Sequence, residues 1–307
     1  MPQRLLCFML FVLTAIAHAA ESSPRPWIDA HFHVMPYMDL AQLVQAMDRN
    51  GIIASGGAQA VGPPRRNAEV AETLGTRYIR STGQSQWLML KERGGEAALE
   101  KSDSPEFAQA LASIETDLRD NGARIVGEIH VSSRNSAANP RVNIKVAADG
   151  AGLRAIFDLA TKYRRALNIH AEWDADSARQ IVELARSNRN GRLVLSHCGV
   201  HGSPAQIREA FAQNPNLWCD LSYRSPPQLK PKILYRQIFD AQRLDDAWKQ
   251  LIEEYSDRFV VGIDDVHNWD EYEATALAIR NGLLANLAPD VAEKVAQRNA
   301  RVLFGLE

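Results

Sequence analysis

Cysteine is scarce in this chain, and neither sign of charge is in excess. The 307 residues include 3 cysteines, and 35 basic against 37 acidic residues give a formal net charge of -2. Cys7 lies near the amino terminus, whereas Cys198 and Cys219 each lie in an apolar run typical of a strand. Two cysteines do not make a disulfide framework, so we expect buried free thiols. The balanced charge gives no indication of a nucleic-acid partner.

Long apolar runs are also rare, and the one that is present lies at the amino terminus. Arg4 precedes the almost wholly apolar stretch Leu5–Ala17, and Ala17-His18-Ala19 places small residues two apart. This order is typical of a secretory signal peptide, which we predict over residues 1–20. A membrane anchor is the alternative, but the run is shorter than the roughly 20 residues that a span needs. We therefore expect a periplasmic or secreted protein without membrane attachment after cleavage.

The remaining chain, residues 21–307, has the composition of one large globular domain, with 46% hydrophobic and 23% charged residues overall. Short apolar runs that end in polar residues alternate with amphipathic stretches. Such runs are typical of strands buried on both faces. The predicted strands are Trp27–Val34, Gly51–Ser55, Arg77–Thr82, Arg124–His130, Ala166–His170, Arg192–His197, Leu217–Ser222 and Arg258–Ile263.

Helix signals lie between these strands. Ser104-Pro105 predicts the start of a helix that ends at Asn121-Gly122. A second helix is expected from about Asp176, and Ser203-Pro204 predicts the start of another. Eight strands that alternate with helices predict an α/β fold, specifically a single (β/α)8 barrel. An open doubly wound sheet is the alternative, but no glycine-rich phosphate loop follows the first strand.

Histidines and carboxylates follow or close several of the predicted strands. His31 and His33 are two apart, so their side chains point to the same side of the first strand. In a parallel barrel, the carboxyl ends of all strands meet at one face, and imidazole and carboxylate groups are ligands of zinc and similar ions. Each residue alone also has a structural explanation, so the joint pattern carries the prediction. The predicted ligands are His31, His33, Glu128, His170, His197 and Asp264.

This ordered set resembles the amidohydrolase superfamily, and the ending Ala296–Phe304 is similar to that of its amidohydrolase-2 branch, the aminocarboxymuconate semialdehyde decarboxylase-like proteins. The resemblance implies that His31, His33, His170 and Asp264 bind one metal ion, and that His197 is either a ligand of a second ion or a proton shuttle. Glu128 departs from the single-metal pattern and is more similar to relatives in which a carboxylate bridges two ions. We therefore expect one or two divalent ions, most simply zinc.

The chemistry expected of such a site is hydrolysis of an ester, lactone, amide or related bond in a small molecule. A divalent metal lowers the pKa of bound water to about 7, and Asp264 and His197 are the candidate catalytic residues for proton transfer and oxyanion stabilisation. A decarboxylase or other lyase acting on an aromatic or dienoic acid is the first alternative. A non-catalytic exported metal-binding protein is the second.

Three residues after the strands are predicted to bind the substrate. Trp173 could stack on a planar group, and Tyr223 and Arg224 follow the seventh strand, where Arg224 could clamp a carboxylate or phosphate. The alternative for each is a role in packing or at the surface. His130 follows Glu128 by two residues and is left without a role. Besides a small-molecule substrate, the partner that we consider is a second copy of this chain in a homo-oligomer.

Overall fold

The structure is a computed structural model that describes residues 25–63, 65–137, 139–226 and 236–306. The predicted signal peptide, residues 1–20, lies outside this part of the chain. Within it, no helix combines the length and apolar character needed to cross a membrane. Cys198 and Cys219 are buried free thiols, which confirms the expectation from the sequence.

The strands of the described residues all pair in parallel with their neighbours. They are β1 (Trp27–Phe32), β2 (Ile52–Gly57), β3 (Tyr78–Ile79), β4 (Ser81–Thr82), β5 (Ile125–Ser132), β6 (Ala166–Ala171), β7 (Arg192–Leu195), β8 (Leu217–Asp220) and β9 (Phe259–Val260). Their hydrogen bonds give two sheets with the orders β1-β2-β3 and β4-β5-β6-β7-β8-β9.

Main-chain contacts link these two sheets at both sides. Arg80 alone separates β3 from β4, and its carbonyl accepts a hydrogen bond from the Arg124 N–H at 2.8 Å. On the other side, the Ala30 N–H donates to the carbonyl of Val261, just after β9, at 2.8 Å. The third predicted strand is thus one strand position interrupted at Arg80. Eight strand positions alternate with helices, as the predicted (β/α)8 barrel requires.

The helices are α1 (Leu40–Asn50), α2 (Arg65–Leu74), α3 (Gln84–Glu100), α4 (Pro105–Arg119), α5 (Ala151–Lys162), α6 (Ala175–Ser187), α7 (Pro204–Gln213), α8 (Asp246–Glu254), α9 (Trp269–Leu277), α10 (Pro289–Glu293) and α11 (Asn299–Phe304). The predicted helix starts are confirmed. The Ser104 side chain caps α4 by accepting from the Phe107 N–H at 3.1 Å, and Ser203 caps α7. Helix α6 begins one residue before the predicted Asp176, with Asp174 as its cap.

The amino ends of the strands are covered by α11. Apolar residues from seven strands form one buried cluster with this helix: Ile28, Ala54, Ile79, Ile125, Ala166, Val194 and Val260, packed with Ala300, Leu303 and Phe304. Three arginines donate to carbonyls at the carboxyl end of α11, where cations complement the helix dipole: Arg124 to Gly305 at 3.1 Å, Arg165 to Phe304 at 3.3 Å and Arg192 to Val302 at 3.1 Å. A covered amino end leaves the carboxyl ends of the strands as the accessible face.

Four predicted strands extend past the carboxyl ends of the observed ones, and two of them, Trp27–Val34 and Leu217–Ser222, run two residues beyond β1 and β8. The prediction Arg192–His197 extends past β7, because Ser196–Cys198 forms a short 3-10 turn in which His197 has a φ of 56°. The prediction Arg258–Ile263 extends past β9, which ends at Val260. In these last two cases the chain leaves the sheet before the candidate residue, two residues before His197 and four before Asp264.

Candidate metal centre

The structure brings all six predicted ligands together at the carboxyl ends of the strands. His31 and Glu128 lie on β1 and β5, His170 lies on β6, and His33, His197 and Asp264 lie in the segments that follow β1, β7 and β9. All six side chains belong to buried residues. Three overlapping groups within this region have ligand atoms close enough to hold a metal: His31-His33-Glu128, His31-His197-Asp220 and Glu128-His170-His197.

The Glu128 carboxylate lies between two pairs of histidines. Its Oε2 faces His31 Nε2 at 3.7 Å and His33 Nε2 at 3.5 Å. Its Oε1 faces His170 Nδ1 at 2.9 Å and His197 Nε2 at 3.3 Å. Each oxygen therefore serves one half of the site.

The Asp264 carboxylate has the same arrangement. Its Oδ1 is 3.6 Å from His31 Nε2 and 3.8 Å from His33 Nε2, and its Oδ2 is 3.6 Å from His197 Nε2. Two carboxylates, each with one oxygen in either half, make a site that can hold two ions as well as one.

The second ring nitrogen of each histidine is engaged by the protein. His31 Nδ1 is 2.9 Å from Asp220 Oδ2, and His33 Nδ1 is 2.8 Å from the Gln59 carbonyl. His197 Nδ1 lies 3.1 Å from the carbonyl of Ser222 and 2.9 Å from its hydroxyl. In the neutral imidazole, acceptors at Nδ1 hold the proton there and leave Nε2 available to a metal ion.

His170 is reversed relative to the other three. Its Nδ1 faces Glu128, and its Nε2 is 2.9 Å from the hydroxyl of Ser136. Three imidazoles thus present Nε2 to the centre of the site, and the fourth presents Nδ1.

The electrostatics of the site are dominated by buried charge. Burial by itself lowers the pKa of His31, but Asp220, Glu128 and Asp264 raise it well above 6.5. Burial raises the pKa of Glu128, but the surrounding histidines outweigh burial and hold that pKa well below its usual 4.5. The pKa of Asp264 is raised, chiefly by burial. A cation at the centre would replace the protons that these groups otherwise need.

The donor set fits a divalent metal. His31 Nε2 is buried and has no hydrogen-bond partner among the described residues, although it points at two carboxylates. Zinc at about 2.1 Å from tetrahedral ligands sets those ligands about 3.4 Å apart. The separations of 3.5 to 3.8 Å between the His31 and His33 nitrogens and the carboxylate oxygens are close to that value.

Backbone conformation supports the placement of several of these side chains. His197, Tyr223 and Asp264 have φ values of 56, 55 and 73°. Residues other than glycine rarely adopt such positive φ values, and those that do cluster at functional sites. Gly262 allows the segment between β9 and Asp264 to pass close to His31. A Cβ at position 262 would lie 2.7 Å from the His31 Cβ and main-chain nitrogen.

A cavity of about 400 Å³ opens onto the centre. Tyr223, one of the three predicted substrate residues, lines it, and so do His33, His170, His197, Glu128 and Asp264. Met35, Val61, Leu88 and Val142 supply apolar wall, and Gln84, Asn139, Arg141 and His267 supply polar groups. The size and mixed lining suit a small organic molecule.

Trp173 and Arg224 do not line this cavity, and the substrate roles expected for them stay predictions. Trp173 is buried in the core, with its ring against Gly199. The Arg224 guanidinium is fully buried, donates to the carbonyls of His197 and Val200 at 3.0 and 3.1 Å, and lies over the Trp248 ring. It stabilises the loop that carries His197, because it holds the main-chain carbonyls there.

The sequence analysis gave no role to three buried residues that contact the candidate ligands, Asp220, Ser136 and Ser222. A signal was present for Asp220, which lies inside a predicted strand as a lone carboxylate. His130 was noted without a role. It lines the cavity and stacks on His170 with ring centroids 4.5 Å apart, and burial lowers its pKa to about 4. Its spacing of two from Glu128 put both side chains on one face of β5, with His130 Nε2 3.4 Å from Glu128 Oε2.

Comparisons with known proteins agree with this architecture. The sequence-family model described as amidohydrolase, of the amidohydrolase-2 type, matches residues 28–306. Comparison of the sequence with curated proteins found no match.

Similar solved structures include an L-hydantoinase (dihydropyrimidinase) from Arthrobacter aurescens, with a TM-score of 0.58, 14% identity, and coverage of 92% of this chain and 71% of that one. A TIM-barrel protein from Bordetella bronchiseptica gives 0.54 at 15% identity and covers 87% and 83%. A 2,6-dihydroxybenzoate decarboxylase from Rhizobium gives 0.52 at 13% identity and covers 92% and 99%. Likenesses at this identity establish the fold alone.

Proposed function

This chain belongs to the amidohydrolase-2 family, a metal-dependent family of enzymes, and from that premise we propose that it is a hydrolase that uses two divalent ions, zinc in the simplest case. The observation that carries the proposal is the position of Glu128. Its two oxygens face different histidine pairs, His31 with His33 and His170 with His197. A carboxylate with one oxygen toward each ligand group can bind two ions at once, whereas a single ion does not need such a shared ligand.

When bound, the ions would polarise the carbonyl of an ester, lactone or amide and lower the pKa of water. Asp264 would take the proton of the attacking water at one carboxylate oxygen and pass it to the leaving group. Burial raises the pKa of Asp264, which makes its protonated form accessible and suits a group that must both accept and donate. Its place on the cavity wall gives it access to substrate.

Tyr223 is the residue best placed to bind the substrate. It lines the cavity beside His197, with ring centroids 6.1 Å apart. Burial raises the pKa of its hydroxyl, which therefore stays protonated at neutral pH and can donate a hydrogen bond to the substrate carbonyl.

A decarboxylase of aromatic acids is the second candidate, and the observation that favours it is Arg141 on the cavity wall. A guanidinium there can bind a substrate carboxylate. The Arg141 Nε already donates to Glu92, however, and its side chain is 54% exposed, so its hold on an anion would be weak. The structural likeness to a decarboxylase does not decide the reaction, because the hydantoinase has the same fold.

The test is the metal content per chain of the purified protein, followed by a panel of esters, lactones and amides and of aromatic acids. We expect close to two ions and hydrolysis, and Glu128→Gln should reduce the content toward one. A content of one with release of carbon dioxide would favour the decarboxylase. Tight metal binding without turnover would favour a storage protein, and no metal after supplementation would refute the proposal.

Export is a further proposal, supported by the Arg4–Ala19 sequence alone. Amino-terminal sequencing of the protein recovered from its native host should find a chain that begins near residue 20 or 21. An intact Met1 would contradict it.

A further inference from the structure

The chain between β5 and α5 contacts a candidate metal ligand. We refer to its residues 133–137 and 139–145 as the β5 loop. Ser136, Asn139, Arg141 and Val142 of this loop line the cavity. Ser136 is buried, and its hydroxyl is 2.9 Å from His170 Nε2. The loop that forms one wall of the cavity therefore also contacts the one histidine whose orientation is reversed.

Glu172 holds this end of the β5 loop in place. It lies two residues beyond His170 and is buried. Its Oε1 accepts from the N–H groups of Asn135 and Ser136 at 2.5 and 2.9 Å and lies 3.1 Å from the Ser136 hydroxyl. Its Oε2 accepts from the Asn135 side-chain amide at 2.9 Å. One carboxylate thus gathers four donors, all of them on two consecutive residues of the loop.

The direction of these hydrogen bonds follows from which groups carry a proton and which can only accept one. Two main-chain N–H groups donate to Glu172 Oε1. Because an ionised carboxylate oxygen can only accept, the Ser136 hydroxyl also donates its proton to this oxygen. The Ser136 oxygen is then free to accept the Nε2–H of His170. With its proton at Nε2, His170 can offer an unprotonated Nδ1 to a metal ion held beside Glu128 Oε1, which lies 2.9 Å from that nitrogen. At the other three histidines the acceptor engages Nδ1 instead.

We propose that Ser136 and Glu172 are positioning residues that hold His170 as an Nδ1 ligand and tie the β5 loop to the half of the metal centre formed by His170 and His197. The inference rests on the proposed function in taking His170 as a ligand of one of two metal ions. Groups that orient a ligand from behind in this way typically change metal affinity by about 10–100-fold when removed.

The first test compares Ser136→Ala with Ser136→Thr and with a matched control, Ser133→Ala. Ser133 belongs to the same loop, but its hydroxyl donates to the Val142 carbonyl at 2.6 Å. Zinc affinity is measured by competition with a chelator, and the Co²⁺-substituted protein is examined by visible absorption. We expect Ser136→Ala to weaken one of two ions about 10–100-fold and to alter the Co²⁺ spectrum. Ser136→Thr keeps a hydroxyl and should restore both properties, and Ser133→Ala should resemble the unmodified protein.

The second variant, Glu172→Gln, tests the other member of the pair. It keeps one acceptor oxygen and loses the other, so the same ion should be weakened, and amide hydrogen exchange in residues 133–137 should become faster. If Ser136→Ala and Glu172→Gln bind both ions like the unmodified protein, the positioning role is refuted while the metal site stands. If the unmodified protein binds no metal, the proposed function fails first.

Discussion

Replacing Asp220 by alanine is the sharpest perturbation of the site that leaves every predicted ligand in place. Asp220 lies at the end of β8 and is 1% exposed. Its Oδ2 accepts from His31 at 2.9 Å, and its Oδ1 accepts from the N–H of Ser222 at 2.9 Å and from the Ser222 hydroxyl. Ser222 in turn contacts His197 Nδ1, so one carboxylate orients a histidine in each half of the site.

The expected loss has two parts. Without Asp220, the His31 Nδ1–H has no fixed acceptor, and the ring can turn or change tautomer. Loss of such a partner costs about 10–100-fold in metal affinity, or roughly 1.4–2.7 kcal/mol. The donors of His31 and Ser222 also remain buried without an acceptor, which costs about 1–3 kcal/mol of folding stability for each. The metal affinity and stability of Asp220→Asn should lie between those of Asp220→Ala and the unmodified protein, because its single side-chain oxygen can accept from only one of His31 and Ser222.

The assay is zinc affinity by chelator competition, together with the free energy of unfolding of the metal-free protein. Asn216→Ala is the matched control. It removes a buried side chain at the other end of β8 that donates to the carbonyls of Ala185, Asn188 and Gly191 at 2.9, 3.1 and 3.0 Å. The control should lose stability but not metal affinity. Equal metal affinities in Asp220→Ala and Asn216→Ala would refute the orienting role of Asp220.

Four further outcomes are expected. His33→Ala should bring the metal content toward one ion per chain by elemental analysis, because the half of the site formed by His170 and His197 stays intact. The metal-free protein should lose part of its stability below pH 6.5, because His33 also faces the Glu128 and Asp264 carboxylates at 3.5 and 3.8 Å. Asp264→Asn should keep most of the metal and lower kcat by about 10²–10⁴-fold; full activity would exclude Asp264 as the proton carrier. Arg224→Met should lower the free energy of unfolding by about 1–3 kcal/mol without changing the preference between anionic and neutral substrates. A selective loss of activity on anionic substrates would instead support the predicted role of Arg224 in binding a substrate carboxylate or phosphate. The pKa values of His31, His33 and His197 are raised above 6.5 by the carboxylates, which outweigh burial. Zinc affinity measured across pH should therefore fall as pH drops through those pKa values, by about tenfold per pH unit for each proton displaced, and the metal-free protein should lose stability as pH rises above 6.5.

The sequence was sufficient for the strand pattern because burial on both faces leaves a strong local signal. All eight predicted strands correspond to strand positions in the structure, and Ser104 and Ser203 begin helices as predicted. The errors lie at strand ends, as at His197 and beyond Val260, where the chain turns out of the sheet. Such turns depend on contacts with neighbouring strands, which no local pattern records.

The candidate ligands were also accessible from the sequence, for a topological reason. Once eight parallel strands are predicted, the polar residues at their carboxyl ends have to meet, even though Asp264 and His31 are far apart in the chain. The order of these residues suggested the resemblance to a known superfamily, and the family match over residues 28–306 confirms that the chain belongs to it.

Only the tertiary structure decided what each of these side chains contacts. It turned Arg224 into the core and Trp173 against Gly199, although both follow strands as Tyr223 does. It also placed Asp220 behind His31 and Ser136 behind His170. Strand periodicity determines which elements carry a residue and at which end of the barrel it lies. The direction of a side chain after a strand depends on loop conformation and on hydrogen-bond partners distant in sequence, and these exist only when the chain is folded.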